Sequence, residues 1–195
     1  MADHNATIGF ESLSEVQVEA GKNCITRVYD FPDAVTAEIP AGALMSRNSD
    51  GELLEFEETV TGTVVGIGDG AVTAFNGVLG SMMPGSLSIT DGVETFTDNG
   101  GGVLVSTGSG SGSVDYATGA WAVSFAAAPA AETSITADHD PSPCGVLKHV
   151  AEVGDTEAAV VVFGEVVTGQ ISVNGFAPTS DQLALLEAIN IYPVG

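Results

Sequence analysis

The middle of this chain consists of short runs in which apolar and polar residues alternate, separated by turns rich in glycine. Leu87 and Ile89 alternate with polar residues in GSLSIT. Trp121, Val123 and Phe125 are spaced in the same way in AWAVSF. A period of two residues is typical of a β-strand with one buried face and does not suit a helix. Many such strands with glycine turns between them predict a β-sandwich.

The composition of the chain changes at the ends of this middle span. Residues 60–137 hold 15 of the 25 glycines and six acidic residues, but no basic residue. The return segment ADHDPSPC, residues 137–144, is polar and contains two prolines, which predicts a solvated loop between units. We therefore predict an inserted outer β-sandwich domain at 61–137 and a discontinuous base domain at 20–60 and 138–195, preceded by an N-terminal arm at 1–19.

The two flanking pieces carry their own strand signals. IPAGALMSRNSDGELLEF, residues 39–56, predicts a strand, a turn and a second strand, because Asp50-Gly51 supplies the positive φ that a tight hairpin needs. AAVVVFGEVV, residues 158–167, is rich in β-branched residues and lies between turn signals. This run predicts a buried strand at the centre of the base domain.

One short helix is predicted near the C-terminal end. Thr179 is placed to cap it, and Gln182 is the matching capping-box residue. Leu183, Leu186 and Ile189 then recur on one helix face, which indicates packing against the core, with contact between subunits as the alternative. After the helix, IYPV is expected to return to the base domain.

The net charge of the chain limits the classes of partner that it can bind. Four basic residues against 26 acidic residues give a net charge of −22, which disfavours binding to nucleic acid and to anionic membranes. Adaptation to a salty medium or a need for solubility would explain this acidity equally well. The start of the sequence carries no secretory signal, and no run of residues is apolar enough to span a membrane, so we expect a cytoplasmic protein.

Catalytic and cofactor motifs are not evident. The glycines of GIGDG, residues 66–70, have the wrong spacing for a dinucleotide loop. His4, His139 and His149 lie far apart in the sequence, and no Ser or Cys is placed beside them as a nucleophile. The run Asp138-His139-Asp140 is too compact for its side chains to converge on one metal ion. We therefore predict no enzyme activity, no cofactor and no metal site.

The two cysteines, Cys24 and Cys144, are too few for a disulfide scaffold and do not have metal-ligand spacing. Their expected role is that of small buried apolar residues. Whether they are paired is left open, because each lies near an end of the split base domain.

Two pieces of the sequence resemble a known family. Residues 39–56, quoted above, together with CGVLKHVAEVGDTEAAVVVFGEVVTGQI and PTSDQLALLEAINIYPVG from residues 144–195, resemble the head decoration proteins of tailed bacteriophages, of the lambda type. This resemblance covers about half of the chain. PGSLSITDGVETFTDNGGG and GSVDYATGAWAVSFAAAP, within the middle span, are similar to an Ig-like module of phage structural proteins.

The resemblance implies a mainly β protein: a small β-rich decoration domain with one short C-terminal helix, plus an inserted Ig-like β-sandwich. It implies a homotrimer on the outer surface of the expanded capsid, assembled in the host cytoplasm. Its partner would be the major capsid protein, bound partly through the N-terminal arm. In this chain the candidate anchors of the arm are Ile8, Phe10 and Leu13. An ordinary frayed terminus is the alternative for this segment.

The function implied is cementing of the capsid against the internal pressure of the DNA. A second hypothesis is a fibre-like adhesion module on the virion, whose inserted domain binds a glycan or a host surface. That function would need a concave platform of exposed aromatic residues. A carbohydrate-active enzyme would instead need two carboxylates converging in a cleft.

Overall fold

The computed structural model describes residues 18–20 and 24–195. Within them the chain is mainly β, with two sheets and one short C-terminal helix, which confirms the predicted fold class. The strands are β1 (Ile25–Asp30), β2 (Leu44–Arg47), β3 (Leu53–Glu55), β4 (Val60–Ile67), β5 (Ala74–Val78), β6 (Ser88–Thr90), β7 (Thr95–Asp98), β8 (Val103–Ser106), β9 (Ser111–Asp115), β10 (Ala120–Ser124), β11 (Ser134–His139), β12 (Pro143–Leu147), β13 (Glu157–Val167) and β14 (Ile191–Val194), and the helix is α1 (Ser180–Ala188).

The six-stranded sheet, called the base sheet below, is formed from both flanking pieces of the sequence. Its order is β1-β13-β12-β2-β3, with β14 also paired to β13. All neighbours are antiparallel except β13 and β14, which are parallel. The long run predicted as a central strand is β13, so this prediction is confirmed. Residues from either side of the middle span therefore share one sheet.

The base sheet is covered on both faces. Val146 and Leu147 are neighbours on β12, yet they belong to two different core clusters, and Val160 and Val161 on β13 are divided in the same way. Consecutive residues of a strand point to opposite faces, so the two clusters lie on opposite sides of the sheet. The cluster that contains Val146 and Val161 is completed by α1 and β14. The cluster that contains Leu147 and Val160 is completed by the loops at 31–43 and 148–156.

The C-terminal helix forms as its local sequence predicts. Thr179 is the N-cap, its hydroxyl oxygen accepts from the Gln182 backbone N–H (3.3 Å), and Gln182 Oε1 accepts from the Thr179 N–H (2.8 Å). Leu186 is fully buried in the base core. The helix ends at Ala188, and Asn190, which has a positive φ of 66°, turns the chain into β14. Helix, cap and returning end are thus confirmed.

The eight-stranded sheet, called the insert sheet below, contains every strand from β4 to β11. Its order is β4-β11-β6-β7-β8-β9-β10-β5, and all of its neighbours are antiparallel. The two outermost strands of this order, β4 and β5, lie close together in space. Gly66 of β4 is so near the Phe75 ring of β5 that a Cβ placed on the glycine would lie 3.1 Å from it. The sheet therefore curls around one core, as expected of a β-sandwich. That core contains Leu87, Ile89, Phe96, Trp121, Val123 and Phe125.

The segment 137–144 was predicted to be a solvated loop, and this prediction is wrong. Strand β11 continues to His139, which is 5% exposed, and β12 already begins at Pro143. Pro141, between them, pairs with Met82. The segment is held because its main chain has partners on both sides, and prolines are tolerated at the first residue of a strand and in short bridges. The two sheets are therefore joined here by only three residues, 140–142.

The hairpin of the base sheet forms, but its first strand is shorter than predicted. The Asn48 N–H donates to the Glu52 oxygen (3.0 Å), so the turn lies where Asp50-Gly51 predicts it. The strand before it begins at Leu44 rather than at Ile39, because Gly42 has a φ of +88° and turns the chain. At Gly42 the main chain also packs directly against the carbonyl of Gln170.

Replacing Gly42 by alanine should destabilise the protein more than replacing Gly51. Both residues have positive φ values, +88° and +83°, which strain an alanine by about 1–2 kcal/mol. Only at Gly42 would the new Cβ overlap another group, the Gln170 carbonyl oxygen, while Gly51 has open space around it. We expect a loss of about 1 kcal/mol for Gly51→Ala and of about 3 kcal/mol or more for Gly42→Ala. Urea denaturation measures both, and equal losses would contradict the packing described.

Candidate interaction surfaces

The predicted capsid-binding anchors, Ile8, Phe10 and Leu13, lie outside the described residues. Their contact with a capsid therefore remains a prediction. The structure does describe where the following residues join the base. Val18 is buried, its carbonyl oxygen accepts from the Val167 N–H (2.8 Å), and the Ala20 N–H donates to the Glu165 oxygen (2.9 Å). Residues 18–20 thus add to the edge of β13 near its C-terminal end.

An exposed apolar patch lies on β1, the edge strand of the base sheet. Ile25 of β1 is paired with Phe163 of β13, and both side chains are largely exposed (51% and 42%). Val28, further along β1, is exposed to 60%. An edge strand presents main-chain N–H and C=O groups that another strand can pair with. Sequence reasoning missed this surface, because apolar residues of a strand were expected to face a core.

A second exposed surface is a cleft of about 550 Å³ between residues 57–59 and the tight turn at 173–176. We call it the Phe176 cleft. Phe176, which is 77% exposed, lines this cleft together with Glu57 and Glu58. Gln182, at the start of α1, is also part of its lining. This site is not evident from the sequence, because its lining comes from segments more than a hundred residues apart.

Two buried carboxylates flank Phe96, one just before β7 and one at its last residue. Glu94 and Asp98 are 7% and 6% exposed. Glu94 accepts a hydrogen bond from the Ser106 hydroxyl, one from the Gly110 N–H (2.9 Å) and one from the Ala126 N–H (2.7 Å). Burial by itself would raise the pKa of Glu94, but these hydrogen bonds outweigh it and lower the pKa below its ordinary value. The Glu94 carboxylate thus links the loop before β7 to the loops that follow β8 and β10, at one end of the insert sheet.

The Asp98 carboxylate binds the loops at the other end of the insert sheet. The Tyr116 hydroxyl donates to Asp98 Oδ1 (2.8 Å), and the Gly85 N–H donates to Oδ2 (2.6 Å). The Gly102 N–H in turn donates to the Tyr116 oxygen (2.6 Å). Burial, together with the hydrogen bond to Asp98, raises the pKa of Tyr116. Both carboxylates therefore bind donors of their own chain, and the arrangement braces the loops of the insert.

The residues Asp138, His139 and Asp140 do not form a common site. The Asp138 carboxylate accepts a hydrogen bond from the Gly62 N–H (2.7 Å), and the Asp140 carboxylate accepts one from the Thr59 hydroxyl (2.8 Å). The side chain of His139, the residue between them, is buried. Burial lowers the pKa of His139, although both neighbouring carboxylates act in the opposite direction. Among residues 18–20 and 24–195, no group of three or more His, Cys, Asp or Glu side chains is placed to hold a metal ion.

Cys24 and Cys144 do not form a disulfide, and they pack on different faces of the base sheet. Cys24 lies against the cluster that contains α1, and its thiol donates to the Glu165 carbonyl (3.2 Å). Cys144 lies against the opposite cluster. Burial raises the pKa of the Cys144 thiol to about 12, so it remains protonated at neutral pH.

Within the part of the chain that the structure describes, no helix is long and apolar enough to cross a membrane. Comparisons with known protein families, with characterised proteins and with solved structures found no match.

Replacing Glu94 by glutamine should destabilise the insert in a pH-dependent way. Whichever way the amide is turned, its NH₂ group meets a backbone N–H, of Gly110 or of Ala126, so we expect a loss of about 1–3 kcal/mol at neutral pH. Because the folded pKa of Glu94 is lowered, its contribution is present above the ordinary value of 4.5 and is lost as the pH falls through the folded pKa.

The measurement is the free energy of unfolding of both proteins from neutral to acidic pH. The difference should be constant near neutrality and shrink below about pH 4.5. Glu132→Gln removes the same charge from an exposed side chain of the insert, and we expect it to change stability by less than about 0.5 kcal/mol. A difference between wild type and Glu94→Gln that stays constant into strong acid would contradict the role assigned to Glu94.

Proposed function

We propose that this protein is a head decoration protein of a tailed bacteriophage, which binds the outside of the expanded capsid and stabilises it against the pressure of the packaged DNA. The proposal starts from the resemblance of residues 39–56 and 144–195 to that family. One observation supports it most. These two pieces are separated by the whole insert, yet β2 pairs with β12, with Leu44 opposite Val146, so both belong to the base sheet.

The proposed role is structural and non-catalytic. A cement protein acts by adding non-covalent contacts between capsid subunits, so it needs binding surfaces rather than reacting groups. The edge strand β1 and the Phe176 cleft are surfaces of this kind on the base. The proposed partners are the major capsid protein and two further copies of this chain, in a homotrimer on the outer capsid surface that assembles in the host cytoplasm. The net charge of −22 fits a position away from DNA and membranes.

In this proposal the Ig-like insert projects away from the shell. Its two connections to the base, at 56–59 and 140–142, lie side by side, because the Thr59 hydroxyl donates to Asp140 (2.8 Å). Adjacent ends are what an inserted domain requires. Residues 60–137 carry six acidic residues and no basic residue, which suits a solvated outer surface.

A fibre-like adhesion module on the virion has less support. Such a module would present aromatic rings to a glycan, but the large aromatic residues of the insert pack inward. Phe96, Trp121 and Phe125 are all at most 3% exposed. The large apolar residues exposed on residues 60–137 are aliphatic ones, such as Val93 at 91%. Residues 60–137 therefore present no large exposed aromatic side chains to a glycan.

Purified protein should bind to expanded heads that lack decoration and should make them more resistant to heat. The expected readouts are added density on the outer surface by cryo-electron microscopy and a higher temperature of DNA release. Unexpanded heads serve as the control, since a decoration protein of the expanded shell should bind them weakly. If decorated and undecorated expanded heads release DNA at the same temperature, the cement function is wrong.

Removing residues 2–17 should leave a folded protein that binds heads more weakly. This truncation keeps Val18, which is buried against β13, so the melting temperature should change little. An extended arm contributes main-chain pairing and apolar contacts to a partner, and the base alone does not replace them. The melting temperature and the affinity for heads are to be measured together.

A full-length variant shows whether weaker binding comes from the loss of the apolar anchors or only from the shorter chain. Replacing Ile8, Phe10 and Leu13 by serine should weaken binding as the truncation does, because these are the apolar anchors of the segment. Replacing Asn5, Glu11 and Glu15 by serine is the matched control and should preserve binding. Undiminished binding by the truncated protein would show that the segment is an ordinary terminus.

A further inference from the structure

We propose that the Phe176 cleft binds an extended segment of the major capsid protein that carries an arginine or a lysine. The identity of the partner rests on the proposed function, whereas the chemistry of the recognised group rests on the cleft itself. Three features of the cleft lead to this assignment: an exposed aromatic ring on an anchored turn, two carboxylates in the same lining, and a lining that includes no basic residue among residues 18–20 and 24–195.

The first feature is the presentation of Phe176. Val173 and Phe176 exchange both main-chain hydrogen bonds (2.9 and 3.0 Å), and Asn174 and Gly175 between them have φ values of 51° and 79°. This is a two-residue hairpin turn of the type that Asn-Gly favours. Val173 is buried in the base core, so the turn is anchored. Because the turn is anchored, the main chain that carries the exposed ring loses little freedom when a partner binds.

The second feature is the acidic wall. Glu57 and Glu58 line the cleft and are exposed. Gln182 Nε2 donates to Glu58 Oε1 (2.7 Å), and Gln182 is itself buried and held by the capping box of α1. The Glu58 carboxylate is therefore fixed in position, with its second oxygen available. A cleft lined by both an aromatic ring and a carboxylate suits a guanidinium or ammonium group, through cation–π attraction and a charge-assisted hydrogen bond.

The third feature concerns the source of the cation. Among residues 18–20 and 24–195, no basic residue lines the cleft. Of the four basic residues of the chain, Arg47 lies over the Tyr29 ring (5.4 Å) and Lys148 is paired with Glu19 (3.1 Å). A chain with a net charge of −22 is a poor source of cations for its own copies. A segment of another protein is the better match, and in the proposed function that protein is the major capsid protein.

The chemistry of the cleft can be tested without a capsid. The probe is the blocked peptide acetyl-Gly-Arg-Gly-Arg-Gly-amide, titrated into the ¹⁵N-labelled full chain and followed by nuclear magnetic resonance. We expect shift changes concentrated at residues 57–59 and 173–177, and no such changes with the same peptide carrying glutamine for arginine. They should weaken at least about tenfold in Phe176→Ser and in the double variant Glu57→Gln, Glu58→Gln. Equal changes with the glutamine peptide, or none at the cleft with the arginine peptide, would overturn the assignment.

The partner is tested on heads. Phe176→Ser should bind expanded heads at least about tenfold more weakly than wild type, because the ring contributes both apolar contact and cation–π attraction. Val93→Ser, which alters an even more exposed apolar residue on the insert, is the control and should bind as wild type. If wild type binds and Phe176→Ser binds equally well, the cleft is not a capsid contact.

Two further outcomes separate this inference from the proposed function. If wild type fails to bind heads while the arginine peptide binds the cleft, the decoration function is wrong and so is the capsid protein as occupant, but the recognition of a cation stands. If Phe176→Ser instead loses self-association measured by analytical ultracentrifugation, the occupant is a second copy of this chain. That result would overturn the capsid assignment.

Discussion

Strand β13 is the element on which the base depends, because its main chain is paired along both edges and the side chains at its centre are buried on both faces of the sheet. Over its first half it pairs with β1 and β12, and over its second half with β14 and residues 18–20. Val160 and Val161 fill opposite core clusters without any exposure. A strand in this position cannot shift by one residue, since every side chain would change faces. The register of the surrounding strands follows from it.

The insert sheet is stabilised differently from the base sheet, because it closes around one core with short strands and many turns. Its closure depends on carboxylates that accept main-chain N–H groups, as Glu94 does at one end and Asp98 at the other. Such charge-assisted bonds satisfy loop N–H groups that have no strand partner. The acidic composition of the chain is therefore partly structural, and it is not only a matter of solubility.

The distribution of exposed apolar residues separates the two units. On the base, Ile25, Phe163 and Phe176 are exposed, and each is held by paired main chain. On the insert, the exposed large apolar residues are aliphatic and the aromatic rings are inside. Aromatic residues contribute most to binding when they are presented on a rigid framework. This contrast is the reason for placing the candidate contacts on the base.

Local interactions made much of the fold predictable from the sequence. The cap at Thr179, the Asp50-Gly51 turn, the alternation around Trp121 and the β-branched run of β13 depend on neighbours within a few residues, and all of them appear in the structure. The sequence could not place His139, Glu94 or Phe176, because burial of the first two and exposure of the third depend on segments far away in the chain. Only the tertiary structure, by joining residues 57–59 to the turn at 173–176, created the Phe176 cleft. Strand and helix formation is encoded by short-range periodicity and capping, whereas a surface site requires the long-range pairing that brings its walls together.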